Sequence, residues 1–269
     1  MEGDLLALFL LLAFAGVLAG LLAGLLGVGG GLIIVPVVLE VLTWSGVNTA
    51  SAMLVATGTS LAAIVPTAIS STYAHQRRGN VDRAVLSLWA APMAIAVLFG
   101  AWLAPRLPVE PLLGLFTVFA LTVALKRLLW SSAPVLRDQL PAPMVQMGLA
   151  AGIGFICVLL GIGAGTLGVA VLTAFAMPVH RAVGTAAALG LVIAIPGAIV
   201  AALNPVPADA PSFTLGQVSL PALLAIVPLA IVCAPLGVRI GARLAPEQLQ
   251  KVFAVFLLGV GLRMLSRLF

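Results

Sequence analysis

Two glycine clusters stand where an apolar helix would otherwise continue: Gly27-Val28-Gly29-Gly30-Gly31 and Gly161-Ile162-Gly163-Ala164-Gly165. So many glycines in five residues do not sustain a regular helix. Each cluster leads at once into a short apolar segment, Leu32 to about Trp44 and Thr166 to Met177. The amino end of such a segment carries unpaired N–H groups and a partial positive charge. Without Cβ atoms a ligand can approach that backbone closely, which suits an anion. Gly29, Gly30, Gly31, Gly163 and Gly165 are therefore candidate backbone contacts, and Thr166 a candidate cap or ligand. Two such ends facing each other would cradle an oxyanion without a buried Lys or Arg. The competing role for these glycines is close helix packing.

Hydroxyls come next. Thr59 and Ser60 in Thr57-Gly58-Thr59-Ser60, and Thr185 in Gly184-Thr185-Ala186, are candidate donors to the same anion. Their competing role is back-bonding or helix glue. Four further residues are candidates for gating or coupling. Glu40 is an acid inside an apolar run, close enough to Trp44 to read as interfacial. His75 adjoins Gln76, Arg77 and Arg78 and is expected to be solvated. His180 and Arg181 sit at a segment boundary, as mouth residues or helix-start anchors. Cys157 and Cys233 lie in apolar stretches without metal-ligand spacing, and two histidines make no transition-metal pathway. Gly163-Ala164-Gly165-Thr166-Leu167-Gly168 fits GxGxxG literally, but it sits in an apolar run without a surrounding dinucleotide domain. No catalytic set, metal site or cofactor is expected.

The elements that must position these residues are membrane helices. Of 269 residues, 62% are hydrophobic and 8% charged, whereas soluble domains carry about a quarter charged. Lipid must therefore be the solvent for most of the chain. The net charge of +5 does not indicate nucleic acid, because the cations lie in short connections between apolar runs. The acidic start, Met1-Glu2-Gly3-Asp4, does not resemble a signal peptide, so the first run is expected to be retained. Apolar runs extend over 5–26, 32–44, 49–73, 83–103 and 111–130, and again over 144–160, 166–177, 181–203, 217–240 and 249–268. Gly161, Gly163 and Gly165 follow Gly27, Gly29 and Gly31 by 134 residues, and the segment 252–258 echoes 115–121 at a spacing of 137. The expected organisation is a first transmembrane repeat at 1–130, a linker at 131–143 and a second repeat at 144–269.

Arg77, Arg78 and Arg83 flank the connection after the third run, whereas the equivalent connection, 204–216, has no Lys or Arg and contains Asp209. The two loops then lie on opposite sides, so the halves are inverted with an odd number of crossings each. Five helices per half with the amino terminus outside places ten of the 13 cations in the cytoplasm; Arg106, Arg263 and Arg267 fall outside. Re-entrant glycine-linked pairs would give the same parity. The expected fold is an all-α integral membrane protein of two inverted five-helix repeats, with glycine-broken short helices at the midplane.

The sequence resembles the TauE/SafE family of sulfite exporters. The likeness is carried by Gly27 to Pro36, Gly58 to Pro66, the Arg77–Asp82 loop and Met177 to Thr185, and extends over nearly the whole chain. Ala164 replaces a glycine common in the family, and Ala170 a frequent proline. The resemblance implies a multi-pass protein of the bacterial cytoplasmic membrane that moves sulfite, sulfonates or related small anions. Alternating access is the leading mechanism, with protons as a candidate coupling ion. The competing readings are an anion channel or facilitator, an intramembrane enzyme, and an assembly or sensor subunit. The enzyme reading lacks a clustered nucleophile and base.

Overall fold

A computed structural model describes residues 2–26, 30–129, 136–241 and 246–266. Its helices are α1 (Glu2–Leu26), α2 (Gly31–Trp44), α3 (Thr49–Gln76), α4 (Arg83–Leu103), α5 (Val109–Leu129), α6 (Pro143–Leu160), α7 (Gly165–Ala174), α8 (Val179–Leu203), α9 (Leu220–Gly241) and α10 (Pro246–Leu265). The chain is an all-α integral membrane protein. Among the described residues, seven helices are long and apolar enough to cross a bilayer. The short helices after the glycine clusters are shorter than a span: 14 residues in α2 and 10 in α7, about 21 Å and 15 Å.

Several boundaries differ from the sequence reading by two or three residues, and two of them bear on the site. The ninth helix starts at Leu220 rather than Gln217. Strands β1 (Thr214–Leu215) and β2 (Val218–Ser219) form a two-stranded hairpin here. Gly216 turns it with φ +58°, and β2 is buried. The third helix continues past Tyr73 through His75 to Gln76.

Helices distant in sequence pack in pairs. Gly16, Gly20 and Gly24 of α1 lie against Ile226, Ala230 and Ala234 of α9, so these helices run parallel in close contact. Small residues four apart permit such an approach. Helices α6 and α4 also run parallel: Gly154 meets Met93 and Val97, and Gly100 meets Phe155 and Val158. Trp89 Nε1 donates to Gln146 Oε1 across that pair at 3.1 Å. Helices α3 and α8 run antiparallel, with Gly58 near Ala201, Leu61 against Gly197, and Ala68 beside Gly190. The α3–α8 pair lies inside: Thr59, Ser60, Thr185 and Leu189 have no exposed surface. Phe9, Phe14, Ile95, Trp102, Leu224 and Val232 point outward. Such an apolar exterior is the face a membrane protein presents to lipid.

Candidate functional site

The two helix breaks touch. Gly30 precedes α2 in the left-handed region with φ 77°, and Gly161 ends α6 with φ 66°. At Gly161 the turn is closed by Ile162 N–H donating to the Cys157 carbonyl at 2.9 Å and Gly161 N–H to Val158 at 3.2 Å. That is the double bond pattern by which a left-handed glycine ends a helix. The approach of the two breaks is backbone to backbone. A Cβ on Gly31 would lie 2.6 Å from the Gly161 carbonyl oxygen and 2.8 Å from Ile162 Cα. Ser60 ties α3 to the same point, its Oγ donating to the Gly161 carbonyl at 2.7 Å. Gly163, Gly165 and Thr166 are buried beyond the break. Gly29 lies outside the described residues.

At the second break, Gly168 N–H donates to the Ala164 carbonyl at 2.6 Å, and a helix start ordinarily leaves the amides before its first such bond unpaired. Thr166 is 6% exposed, and its hydroxyl has no hydrogen-bond partner. An unsatisfied buried hydroxyl costs about 1–3 kcal/mol. A polar ligand at the break would remove that cost.

Thr59 and Thr185 go elsewhere. Thr185 Oγ1 accepts from Asp82 N–H at 2.9 Å, and Thr59 Oγ1 accepts from Ser219 N–H at 2.9 Å. The two contacts are alike: in each, a buried threonine holds the residue that precedes another helix, α4 or α9. Asp82 caps α4 through Ala84 and Val85 N–H. Ser219 precedes α9 and accepts weakly from Ala222 N–H at 3.5 Å. The neighbouring glycines make room: a Cβ on Gly184 would collide with the Asn80 carbonyl, and one on Gly58 with the Gln217 carbonyl. The sequence reading did not see this role for Asn80, Asp82, Gln217 and Ser219. Its signal was present: Gly216-Gln217-Val218-Ser219 repeats Gly79-Asn80-Val81-Asp82 at a spacing of 137. That is the register already evident farther along each half.

The loops are also fastened at their outer ends. On the arginine-bearing face, Arg181 pairs with Asp82 at 3.0 Å, while its neighbour His180 is exposed. On the opposite face, Asp209 accepts from Asn48 N–H at 2.7 Å and from the Ser51 hydroxyl at the start of α3. The Ser51 hydroxyl and the Asn48 amide hold the Asp209 carboxyl below its ordinary pKa. A carboxylate whose pKa is lowered on folding stabilises above its unfolded pKa, about 3.9, and loses that contribution as pH falls through the folded value. Asp209→Asn should therefore lower the melting temperature at neutral pH, and the difference should begin to shrink only below about pH 4 and vanish once the pH is below the folded value. Parallel melting of both proteins across pH checks this. A pH-independent difference would assign the effect to geometry instead.

Glu40 is not isolated. It pairs with Arg263 of α10 through Nε at 3.1 Å and Nη2 at 3.4 Å. This supplies a counter-charge for an arginine that the charge distribution alone placed on the sparsely basic side. The pair lies at an apolar groove of about 400 Å³ between α1, α2 and α10. His75 contradicts the expectation of a solvated histidine: it is 5% exposed, with Nε2 3.1 Å from the Gly24 carbonyl oxygen. The Gly24 carbonyl gives the imidazole a partner inside the protein, so the ring turns inward although its sequence neighbours are cationic.

The model of the family described as "Sulfite exporter TauE/SafE" matches residues 12–264. A Haemophilus influenzae protein named probable membrane transporter protein is 32% identical over 259 residues, covering 95% of this chain and 97% of its own. Similarly named proteins of Methanocaldococcus jannaschii and Bacillus subtilis are each 25% identical. The first covers 98% of both chains; the second covers 96% of this chain and 97% of its own. No solved structure matches.

Proposed function

The chain belongs to the sulfite exporter TauE/SafE family and is a multi-pass membrane transporter; we propose that it moves a small sulfur-containing or organic anion, such as sulfite or a sulfonate, by alternating access. The observation that carries this reading is the contact between the breaks at Gly30–Gly31 and Gly161–Ile162, beside the unpartnered hydroxyl of Thr166. An anion there meets amide donors and a helix-start partial charge, without a fixed cation to trap it. Gly30, Gly31, Gly163, Gly165 and Thr166 supply the cradle, and Ser60 holds its shape. Thr59 and Thr185 act one step away, by seating the crossing helices.

An inverted relation of the halves fits this mechanism. The antiparallel run of α3 against α8 supports it, as do the matched threonine contacts. Inversion makes the two faces chemically comparable, so one closed face can exchange for the other around a central site. The arginines around Arg78 and Arg181 would face the cytoplasm of a bacterial inner membrane.

The test is flux in proteoliposomes of the purified full chain, comparing sulfite, methanesulfonate, sulfate and chloride. Saturable movement of sulfite or methanesulfonate above chloride is expected. Absence of flux for both sulfur anions would overturn the substrate class. Unsaturable chloride-like conduction would favour a channel.

A further inference from the structure

His75 is the only buried histidine or acidic or basic side chain among the described residues, and the anion cradle makes no use of it. A carbonyl oxygen can only accept, so the contact with Gly24 places the imidazole hydrogen on Nε2. Nδ1 then presents a lone pair, and it has no partner. The hydroxyl of Thr72, one turn earlier on α3, is also buried and unpartnered. Two adjacent unsatisfied polar groups are not explained by packing alone.

Their place in the fold gives them a use. Gly24 lies in the last turn of α1, which ends at Leu26 just before the glycine cluster. A helix carboxyl end carries partial negative charge and favours a cation. The helix after the cluster presents the opposite pole, which favours an anion. One break thus offers a proton site on one side and an anion site on the other. The second half lacks this pairing: the carbonyl that ends α6 is met by the Ser60 hydroxyl, which does not titrate at these pH values.

We propose that His75 is the proton-binding site of this transporter and that its protonation is coupled to anion occupancy at the glycine breaks. The proposal rests on the anion-transport reading. The proton comes from water and bonds to Nδ1, giving an imidazolium of charge +1. Several charges surround that position. Arg78 follows on the same side, its Nη1 fastened to the Val238 carbonyl of α9 at 2.9 Å, and His180 of α8 is within electrostatic reach. From α9, exposed Arg239 follows Val238, while α1 offers the Ala23 and Gly24 carbonyls, with Ala23 accepting from Ser71. A buried imidazolium among cations is costly without an anion. A bound monovalent anion at the breaks offsets part of that cost through the low-dielectric interior, so each ligand favours the other by the same factor.

Methanesulfonate is the suitable probe, because it stays fully ionised over the range in which histidine titrates. Its equilibrium exchange in wild-type proteoliposomes, at equal pH on both sides, should be faster at about pH 6 than at about pH 8 by about fivefold or more. His75→Gln and His75→Asn should flatten that ratio to less than about twofold. Binding is read independently on histidine-labelled protein by NMR. The chain has two histidines, so His180→Gln leaves His75 as the one signal. At fixed pH, methanesulfonate should raise its protonated fraction even if the His75 variants fold poorly. An unchanged pH ratio in folded His75 variants, or an imidazole signal indifferent to the anion, overturns the coupling while transport stands. No exchange of methanesulfonate or sulfite in wild type removes the transport reading, and this coupling with it.

Discussion

Gly161→Leu should abolish anion flux while the protein still inserts and elutes as a folded species, and Gly30→Leu should do the same. Both positions hold left-handed backbone, at φ 66° and 77°. A side chain there costs roughly 1–2 kcal/mol before it touches anything. Neither site has room. A Cβ on Gly161 would lie 2.9 Å from Thr57 Cα, and one on Gly30 would lie 2.7 Å from the Ala19 Cβ. Relieving such overlap costs about 1–3 kcal/mol more. The strain falls at the break itself, where Gly31 and Ile162 form the contact between halves. The bilayer-spanning helices remain, so insertion should survive. Gly148→Ala and Gly152→Ala are suitable controls, because a Cβ at either meets nothing within 4 Å. Flux assays beside size-exclusion profiles decide the matter. Wild-type flux in Gly161→Leu would show that the anion does not depend on this break.

The breaks were legible because glycine clusters interrupt apolar runs in the same place twice. The spans were legible because lipid demands long apolar helices. What remained hidden was settled by contacts between distant segments. Thr59 and Thr185 read as anion donors because a hydroxyl in an apolar helix has few local partners. Their partners are the amides of Ser219 and Asp82, 160 and 103 residues away in sequence. Gln217 and Val218 read as the start of a helix because they adjoin an apolar run. Val218 instead pairs with Leu215 in the buried strand of a hairpin, and Gln217 lies in its turn beside Gly216. His75 read as solvated because its neighbours are, and its partner is the Gly24 carbonyl of α1, 51 residues away in sequence. Glu40 read as interfacial, and Arg263, its partner, lies 223 residues on.

Gly184→Ala and Gly58→Ala should each loosen a different face of the protein. In both, the obstacle to a methyl group is a carbonyl oxygen, of Asn80 or Gln217. Backbone cannot swing aside as a side-chain tip can, so the loop must move. Overpacking accounts for about 1–3 kcal/mol. The loop carries with it the amide that Thr185 or Thr59 accepts. Leaving that buried pair unmade costs about 1–3 kcal/mol again. In Gly184→Ala the displaced segment caps α4, on the side where Arg181 holds Asp82. In Gly58→Ala it is the hairpin before α9, on the side where Asp209 holds α3. Reporter cysteines distinguish the two once Cys157 and Cys233 are replaced by alanine. Val218→Cys, at 4% exposure, reports on the hairpin; Val85→Cys, at 3%, reports on the start of α4. A thiol reagent applied to purified protein should label Val218→Cys faster in Gly58→Ala alone and Val85→Cys faster in Gly184→Ala alone. Transport should fall in both, because a cycle that alternates between faces needs each face to close. Labelling that rises at both reporters in either variant would mean that the loops open together, and would count against alternating access. Unchanged labelling with full transport would mean that neither loop is held by its glycine and threonine socket during the cycle.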